Sequence, residues 1–203
     1  MVVDPATAEP GNVYKLLIGA IVPRPIAFVS SLSADGIPNL APFSFFTAIS
    51  ANPPVVCFSP MIRSSDLAHK DTLNNIEATR EFVVNIVSEE FAEKMNICSG
   101  EYPPEVDEFQ VSGLTPVPSD LVKPARVKES HVNMECRLVQ VVRVSEKLLG
   151  GSIVLGEVVR FHVDDAIVED FRIEPEKLRA IGRMGGSTYA RTTDRFELRR
   201  PKK

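Results

Sequence analysis

The chain has 203 residues and a mass of 22.3 kDa, enough for one compact domain with a sizeable core and too few for two independent ones. Hydrophobic residues make up 44% and charged residues 25%, which excludes collagen-like, disordered and disulfide-scaffold classes. The formal net charge is −4 and the visible basic cluster is confined to Arg199, Arg200, Lys202 and Lys203, so no basic stripe can follow a phosphate backbone and nucleic acid is not an expected partner.

No apolar run approaches the roughly 18 to 20 residues that cross a bilayer. The start, Met1-Val2-Val3-Asp4-Pro5, lacks a basic region followed by an apolar stretch. A membrane is therefore not an expected partner, and the expected location is cytoplasmic. Cys57, Cys98 and Cys136 are odd in number and lie far apart among apolar neighbours, which predicts buried, reduced thiols.

Residues 26–30 read as a short apolar strand leading to Asp35-Gly36, a pair whose tolerance of positive φ suits a tight hairpin. The return strand is expected over residues 38–49, with Phe43, Phe45, Phe46 and Ile49 filling a pleated surface. Pro38 and Pro42 restrict it to an edge or a bulge, because each lacks an amide hydrogen. After Pro53-Pro54, residues 55–59 read as a buried strand, and residues 61–70 as a loop into a helix that Asp71 or Thr72 can cap. Residues 81–87 return to the sheet, and Ser88 is expected to cap a second helix with Phe91 and Met95 on one side.

Residues 99–130 carry Pro103, Pro104, Pro116, Pro118 and Pro124 and should be mostly loop, with a helical turn around Asp107. A loop that long usually covers something. Residues 131–138 alternate strictly, with His131, Asn133, Glu135 and Arg137 on a face expected to be wet. Gly150-Gly151 marks a turn to a partner strand over residues 153–163, in which Gly156 signals a bulge or a close backbone approach. Pro175 suits the start of a short helix carrying Leu178 and Ile181. Many strands with three short helices predict a mainly antiparallel sheet that escapes exposed edges by closing into a barrel.

Chemistry has three candidate locations. Arg63-Ser64-Ser65 followed by Lys70-Asp71-Thr72 sits at a helix start, where free amides and the helix dipole favour an anion such as phosphate; a solvated loop with an ordinary cap fits the same residues. Residues 39–47 interrupt a greasy strand with polar side chains and missing amides, as a ligand-facing strand or a sheet edge would. Residues 182–189 form a glycine-rich turn with Arg183 and Tyr189 that could close over a planar ring or simply connect the last helix to the tail. No Walker-type loop, dinucleotide fingerprint, nucleophile elbow or paired-histidine zinc motif is present. His69, His131 and His162 are too scattered to suggest a metal, and Glu135 and Glu157 cannot be assigned as acid and base from sequence.

In order along the chain, these pieces resemble the flavin reductase-like family of FMN-binding split barrels. The resemblance is carried by Pro23-Arg24-Pro25-Ile26-Ala27, Asp35-Gly36, Asn39-Leu40-Ala41-Pro42-Phe43-Ser44, Asn52-Pro53-Pro54, Lys70-Asp71-Thr72 with Asn75-Ile76, Glu81-Phe82-Val83-Val84-Asn85, Gly156-Glu157-Val158 and the 182–189 turn. It implies a single domain over residues 1–203, mainly β with short helices, an antiparallel split β-barrel holding FMN at a homodimer interface. It places Ser30, Ser31, Asn39, Ala41, Ser44 and Phe45 at the edge of the isoalloxazine. The phosphate would sit among Arg63, Ser64, Ser65, Lys70, Asp71 and Thr72, with Arg183 and Tyr189 near the ring or the substrate channel.

The implied activity is that of an oxidoreductase, reducing flavin with NADH or NADPH and passing electrons to an acceptor, with no catalytic side chain and no metal. A nicotinamide nucleotide or a redox partner protein is the implied partner. A flavoredoxin-like electron carrier with little nicotinamide activity, or a split barrel binding another small ligand without redox chemistry, are the alternative readings.

Overall fold

A computed structural model describes residues 1–201, so Lys202 and Lys203 of the basic tail lie outside the described residues. In chain order the elements are α1 (Pro10–Ala20), β1 (Ala27–Leu32), β2 (Pro38–Phe43), β3 (Phe46–Ala51), β4 (Pro54–Phe58), α2 (Asp71–Thr79), β5 (Glu81–Ile86), α3 (Ala92–Ile97), α4 (Glu108–Ser112), β6 (Pro116–Val117) and β7 (Arg126–Val127). There follow β8 (Val132–Arg143), β9 (Ser152–Val163), β10 (Val168–Glu169), β11 (Arg172–Ile173), α5 (Pro175–Leu178), β12 (Ile181–Arg183) and β13 (Tyr189–Arg191). No helix among the described residues is long and apolar enough to cross a membrane.

Seven strands form one sheet in the order β2-β1-β5-β8-β9-β4-β3, antiparallel at every pairing. The Asp35-Gly36 hairpin joins β1 to β2, with Gly36 at φ +82° as the tight turn requires. The chain then passes from β2 at one edge to β3 at the other through Ser44 and Phe45 alone. Two residues can make that connection only if the two edges lie side by side, so the sheet rolls into a barrel. The rings of Phe43 on β2 and Phe58 on β4 accordingly pack with centroids 4.9 Å apart. No ladder joins β2 to β3, and the barrel stays split along that seam.

The rolled interior holds Val29, Phe58, Phe82, Val84, Met134, Cys136 and Val154. A second cluster lies outside the barrel wall, where Phe28 and Leu40 of β1 and β2 meet Phe91, Met95, Phe109, Leu114 and Val127. The 89–127 segment therefore covers one outer face of the sheet. Cys98 and Cys136 are buried and Cys57 is half-buried, all three free; burial pushes the Cys98 thiol up to about 11, and that of Cys136 further in the same direction.

Several expectations need correction. The 38–49 return strand is two strands, because the ladder with β1 ends at Phe43 and Ser44-Phe45 carry the chain across the seam to the other edge of the sheet. The face of β8 carrying Asn133 and Glu135 is dry: Asn133 is 4% exposed and Glu135 0%. The proline-rich loop lies across it and its backbone supplies the hydrogen bonds those side chains need. Asn85 Oδ1 accepts from the Val127 amide at 3.0 Å and from Asn133 Nδ2 at 2.8 Å. Glu135 accepts from the amides of Asp120 and Leu121 at 2.7 and 2.6 Å.

Ser88 caps nothing; its buried hydroxyl has no hydrogen-bond partner among the described residues, and a short 3₁₀ turn over Glu89–Phe91 precedes α3. Ile181 belongs to β12 rather than to the last helix, which ends at Leu178. The glycine-rich 182–189 turn closes the β12–β13 hairpin. Helix α1 has no counterpart in the expected elements.

Candidate functional site

A groove runs along β2 between two ends of different character. At one end, Arg63 and Lys70 flank the first turn of α2, with Asn39, Ala41, Pro42 and Phe43 forming the floor and Cys98 to Tyr102 and Glu108 the opposite wall. At the other end, a hollow of about 200 Å³ is lined by Tyr14, Ile26, Ser44, Met95, Asn96, Arg183 and Tyr189. Pro42 and Ser99 line both hollows, so the two adjoin.

The first end is a cationic corner. Lys70 is the residue before α2, and no side chain caps the helix. Neither Asp71 nor Thr72 serves as the expected cap: Asp71 Oδ2 lies 3.4 Å from Arg63 Nη1, and the Thr72 hydroxyl donates to Asn39 Oδ1 at 2.6 Å. Uncapped amides beside an arginine and a lysine suit a phosphate group. Each cation meanwhile holds a carboxylate, Arg63 that of Asp66 at 2.8 Å and Lys70 that of Glu101 at 3.3 Å. The Lys70 ammonium, behind a hydrogen bond from Ser65, helps keep the Glu101 carboxyl below its ordinary range.

The second end is partly aromatic, lined by Tyr14 and Tyr189. The Arg183 guanidinium sits 4.5 Å from the centroid of the Tyr189 ring, and the Tyr189 hydroxyl donates to Asn96 Oδ1 at 3.2 Å. Arg24 braces this end from behind. Buried at 5% exposure, it donates to the carbonyls of Ile18, Ile21 and Met184 at 2.7 to 2.9 Å and to the Ser44 hydroxyl at 3.3 Å. One side chain thus ties the end of α1, the seam and the 182–189 turn together.

Of the expected site residues, Asn39, Ala41, Arg63, Lys70, Asp71 and Thr72 line the cationic half, and Ser44, Arg183 and Tyr189 the aromatic half. Five do not line the groove. The Ser30 hydroxyl is buried and donates to the Ala125 carbonyl at 2.5 Å. Ser31 is buried beside it, donating to Asn39 Oδ1 at 3.3 Å and accepting from Asn75 Nδ2 at 3.2 Å, so it supports the floor. Phe45 turns to the other side of the seam, into an apolar hollow with Leu17, Ile21, Pro23 and Phe46. Ser64 and Ser65 are exposed on the turn after Arg63.

Tyr14, Arg24 and Glu108 were not assigned to a site from sequence. Arg24 carried a signal, its Pro-Arg-Pro setting; Glu108 carried none, since its partner strand is 68 residues away.

Two features lie elsewhere. Asp120, Glu135 and His162 bring ligand-type atoms within 4.8 Å of one another, although the histidines are scattered in sequence. Their oxygens are already engaged: Glu135 by two amides and by His162 Nε2 at 2.5 Å, Asp120 by Arg160 at 2.7 Å. The trio clamps the proline-rich loop onto β8. A larger cavity, about 890 Å³, opens between Phe91, Arg126, His131, Phe161 and His162. Its His131 is held between Glu90 and Asp164 at 3.5 and 3.2 Å. It holds none of the expected site residues and none of the free helix amides that mark the groove.

An antiparallel sheet rolled and split at one seam, with a cationic corner next to a partly aromatic hollow, defines the class of protein: a split β-barrel with a candidate small-ligand site. The family model for the flavin reductase like domain matches residues 19–175, and the chain belongs to that family, a family of flavin-dependent oxidoreductases. An uncharacterised protein of Aquifex aeolicus is 45% identical over 189 residues, covering 93% of this chain and 94% of its own. Among solved structures, nitrilotriacetate monooxygenase component B from Bacillus cereus superposes with a TM-score of 0.92 at 36% identity, over 98% of each chain. A putative flavin reductase with split barrel domain from Shewanella frigidimarina shares the fold with a TM-score of 0.82 at 23% identity, over 97% of this chain and 96% of that one.

Proposed function

We propose that the chain binds FMN along the β2 groove as a homodimer, accepts hydride from NADH or NADPH and passes the electrons to an acceptor. The observation that carries this reading is the adjacency of two hollows along β2: an uncapped helix start with two cations lies next to a hollow lined by Arg183 and Tyr189. Bound there, FMN supplies the redox chemistry, since its ring takes up and gives back two electrons.

The chain's own residues bind and orient. Arg63 and Lys70, with the first amides of α2, hold the phosphate. Asn39 and Thr72 are locked to each other and keep the floor rigid under the ribityl chain. Ser44, fixed by Arg24, offers a hydroxyl at the ring edge, and Arg183 backed by Tyr189 covers a ring face and narrows the opening. Preorganised groups of this kind lower the cost of binding because few must be ordered afterwards.

The homodimer reading rests on unpartnered apolar surface next to the seam. Helix α1 has no buried residue, and Leu16, Leu17 and Ile21 are 47 to 56% exposed. Leu17 and Ile21 share an apolar hollow of about 410 Å³ with Phe45 and Phe46, and Ile49 of the edge strand β3 is 53% exposed. A contiguous apolar surface along an uncovered sheet edge suits a second copy of the chain. Ser44 lines both this hollow and the groove, so the partner would reach the ring end.

The test is a titration of purified protein with FMN, followed by anaerobic addition of NADH or NADPH. One FMN per chain on a dimer, bleached by a nicotinamide, is the expected result. Protein that takes up FMN but is not bleached is an electron carrier, and protein that takes up no flavin overturns the reading.

A further inference from the structure

Three acidic side chains line the groove, and they differ in one respect. Asp71 and Glu101 each face a cation, Arg63 at 3.4 Å and Lys70 at 3.3 Å. Glu108, the first residue of α4, pairs with no cation among the described residues and is only 6% exposed. Burial pushes its carboxyl above the usual range, and Asp107 beside it adds to the shift.

Both oxygens of Glu108 are nevertheless used. Oε2 accepts from the Leu40 amide at 2.9 Å and Oε1 from Asn39 Nδ2 at 2.9 Å. Strand β2 is an edge with one ladder neighbour, β1, and the carboxylate takes the place of the missing strand. By holding the Nδ2 side of Asn39, it turns Oδ1 toward the Thr72 hydroxyl in the first turn of α2. A carboxylate is an acceptor only and can satisfy two N–H donors, whereas a glutamine would present an NH₂ to one of them.

Resting on flavin occupancy of this groove, we propose that Glu108 is a positioning residue of the phosphate end. It aligns Asn39 and Thr72 against the cationic corner, whose hollow it lines, and acts through Asn39 on the first turn of α2 rather than on the ring.

The experiment compares wild type with E108Q and reads the affinity for FMN and for riboflavin, which lacks the phosphate. The glutamine should weaken FMN about tenfold and riboflavin little, because its NH₂ faces one of the two N–H donors, and T72V should show the same split. If E108Q does not fold, E108D keeps the charge and shortens the reach: weaker FMN with riboflavin unmoved supports the assignment, and an unmoved FMN affinity overturns it. A wild type that takes up FMN with E108Q losing neither ligand, or both equally, overturns the role of Glu108 alone. A wild type that takes up no FMN overturns the flavin reading with it.

Discussion

The ring of Phe82 on β5 occupies the space that a side chain on Gly156 of β9 would need: a Cβ there would overlap Cζ and Cε1 of the ring. Phe82 is fully buried at the centre of the barrel, and Gly156 pairs with both Val56 and Leu138, so neither strand can retreat. Replacing Gly156 with Ala should therefore cost about 1–3 kcal/mol or more by overpacking. For a chain of this length that corresponds to a melting temperature lower by roughly 3 to 10 °C. A thermal melt equal to wild type would show that the barrel interior is looser than its packing suggests.

The cationic corner separates ligands by their phosphate. R63A and K70A should each weaken FMN about tenfold or more, as expected for loss of a charge-assisted hydrogen bond, and should change riboflavin affinity little. Fluorescence titration with both ligands measures this. Equal losses for the two would place the other end of the flavin at this corner.

Glu135 gives a pH signature. Desolvation is the largest influence and pushes its carboxyl up, but the Asp120 amide, the His162 ring and the Leu121 amide together outweigh it and leave the group below the usual range. A carboxyl depressed in the folded state contributes stability that is present above its unfolded pKa and is lost as pH falls through the lowered folded value. Urea unfolding across this range should show a steeper acid loss in wild type than in E135Q. At neutral pH the glutamine should cost about 1–3 kcal/mol, because it faces a backbone amide with an NH₂. A flat difference between the two across pH would remove Glu135 as an acid-sensitive clamp.

The apolar surface formed by α1 and β3 makes the assembly testable without ligand. L17E combined with I49E should shift the chain to a monomer in gel filtration while leaving circular dichroism unchanged, since both residues are about half exposed in the single chain. A dimer that survives the pair would have to be built on another face.

Much of the barrel was legible because its signals are local. Asp35-Gly36 announces the hairpin, Gly156 the close approach, and the start of α2 follows from Lys70-Asp71-Thr72. What sequence could not show is what distant backbone does to a polar side chain. Asn133 and Glu135 alternate as residues of a wet face would, yet the backbone of a loop some 6 to 15 residues away accepts from Asn133 and donates to Glu135, and makes the face dry. The same blindness affected the groove. Ser30 and Ser31 are polar residues in the right strand, but Ala125, Asn39 and Asn75 use their hydroxyls. Helix α1 was missed for the converse reason: its apolar side chains meet no core within the chain, so no expected element required it.

The pairing of Lys70 with Glu101 and of Arg63 with Asp66 and Asp71 has a consequence for how long a flavin stays. At the proposed phosphate site, an incoming phosphate would compete with these carboxylates for both cations, and they would stand ready to reclaim them when it departs. Loading and unloading would then be two directions of one ion exchange, sensitive to salt at so open a corner. Such a corner would suit a flavin released between turnovers more than one kept for life.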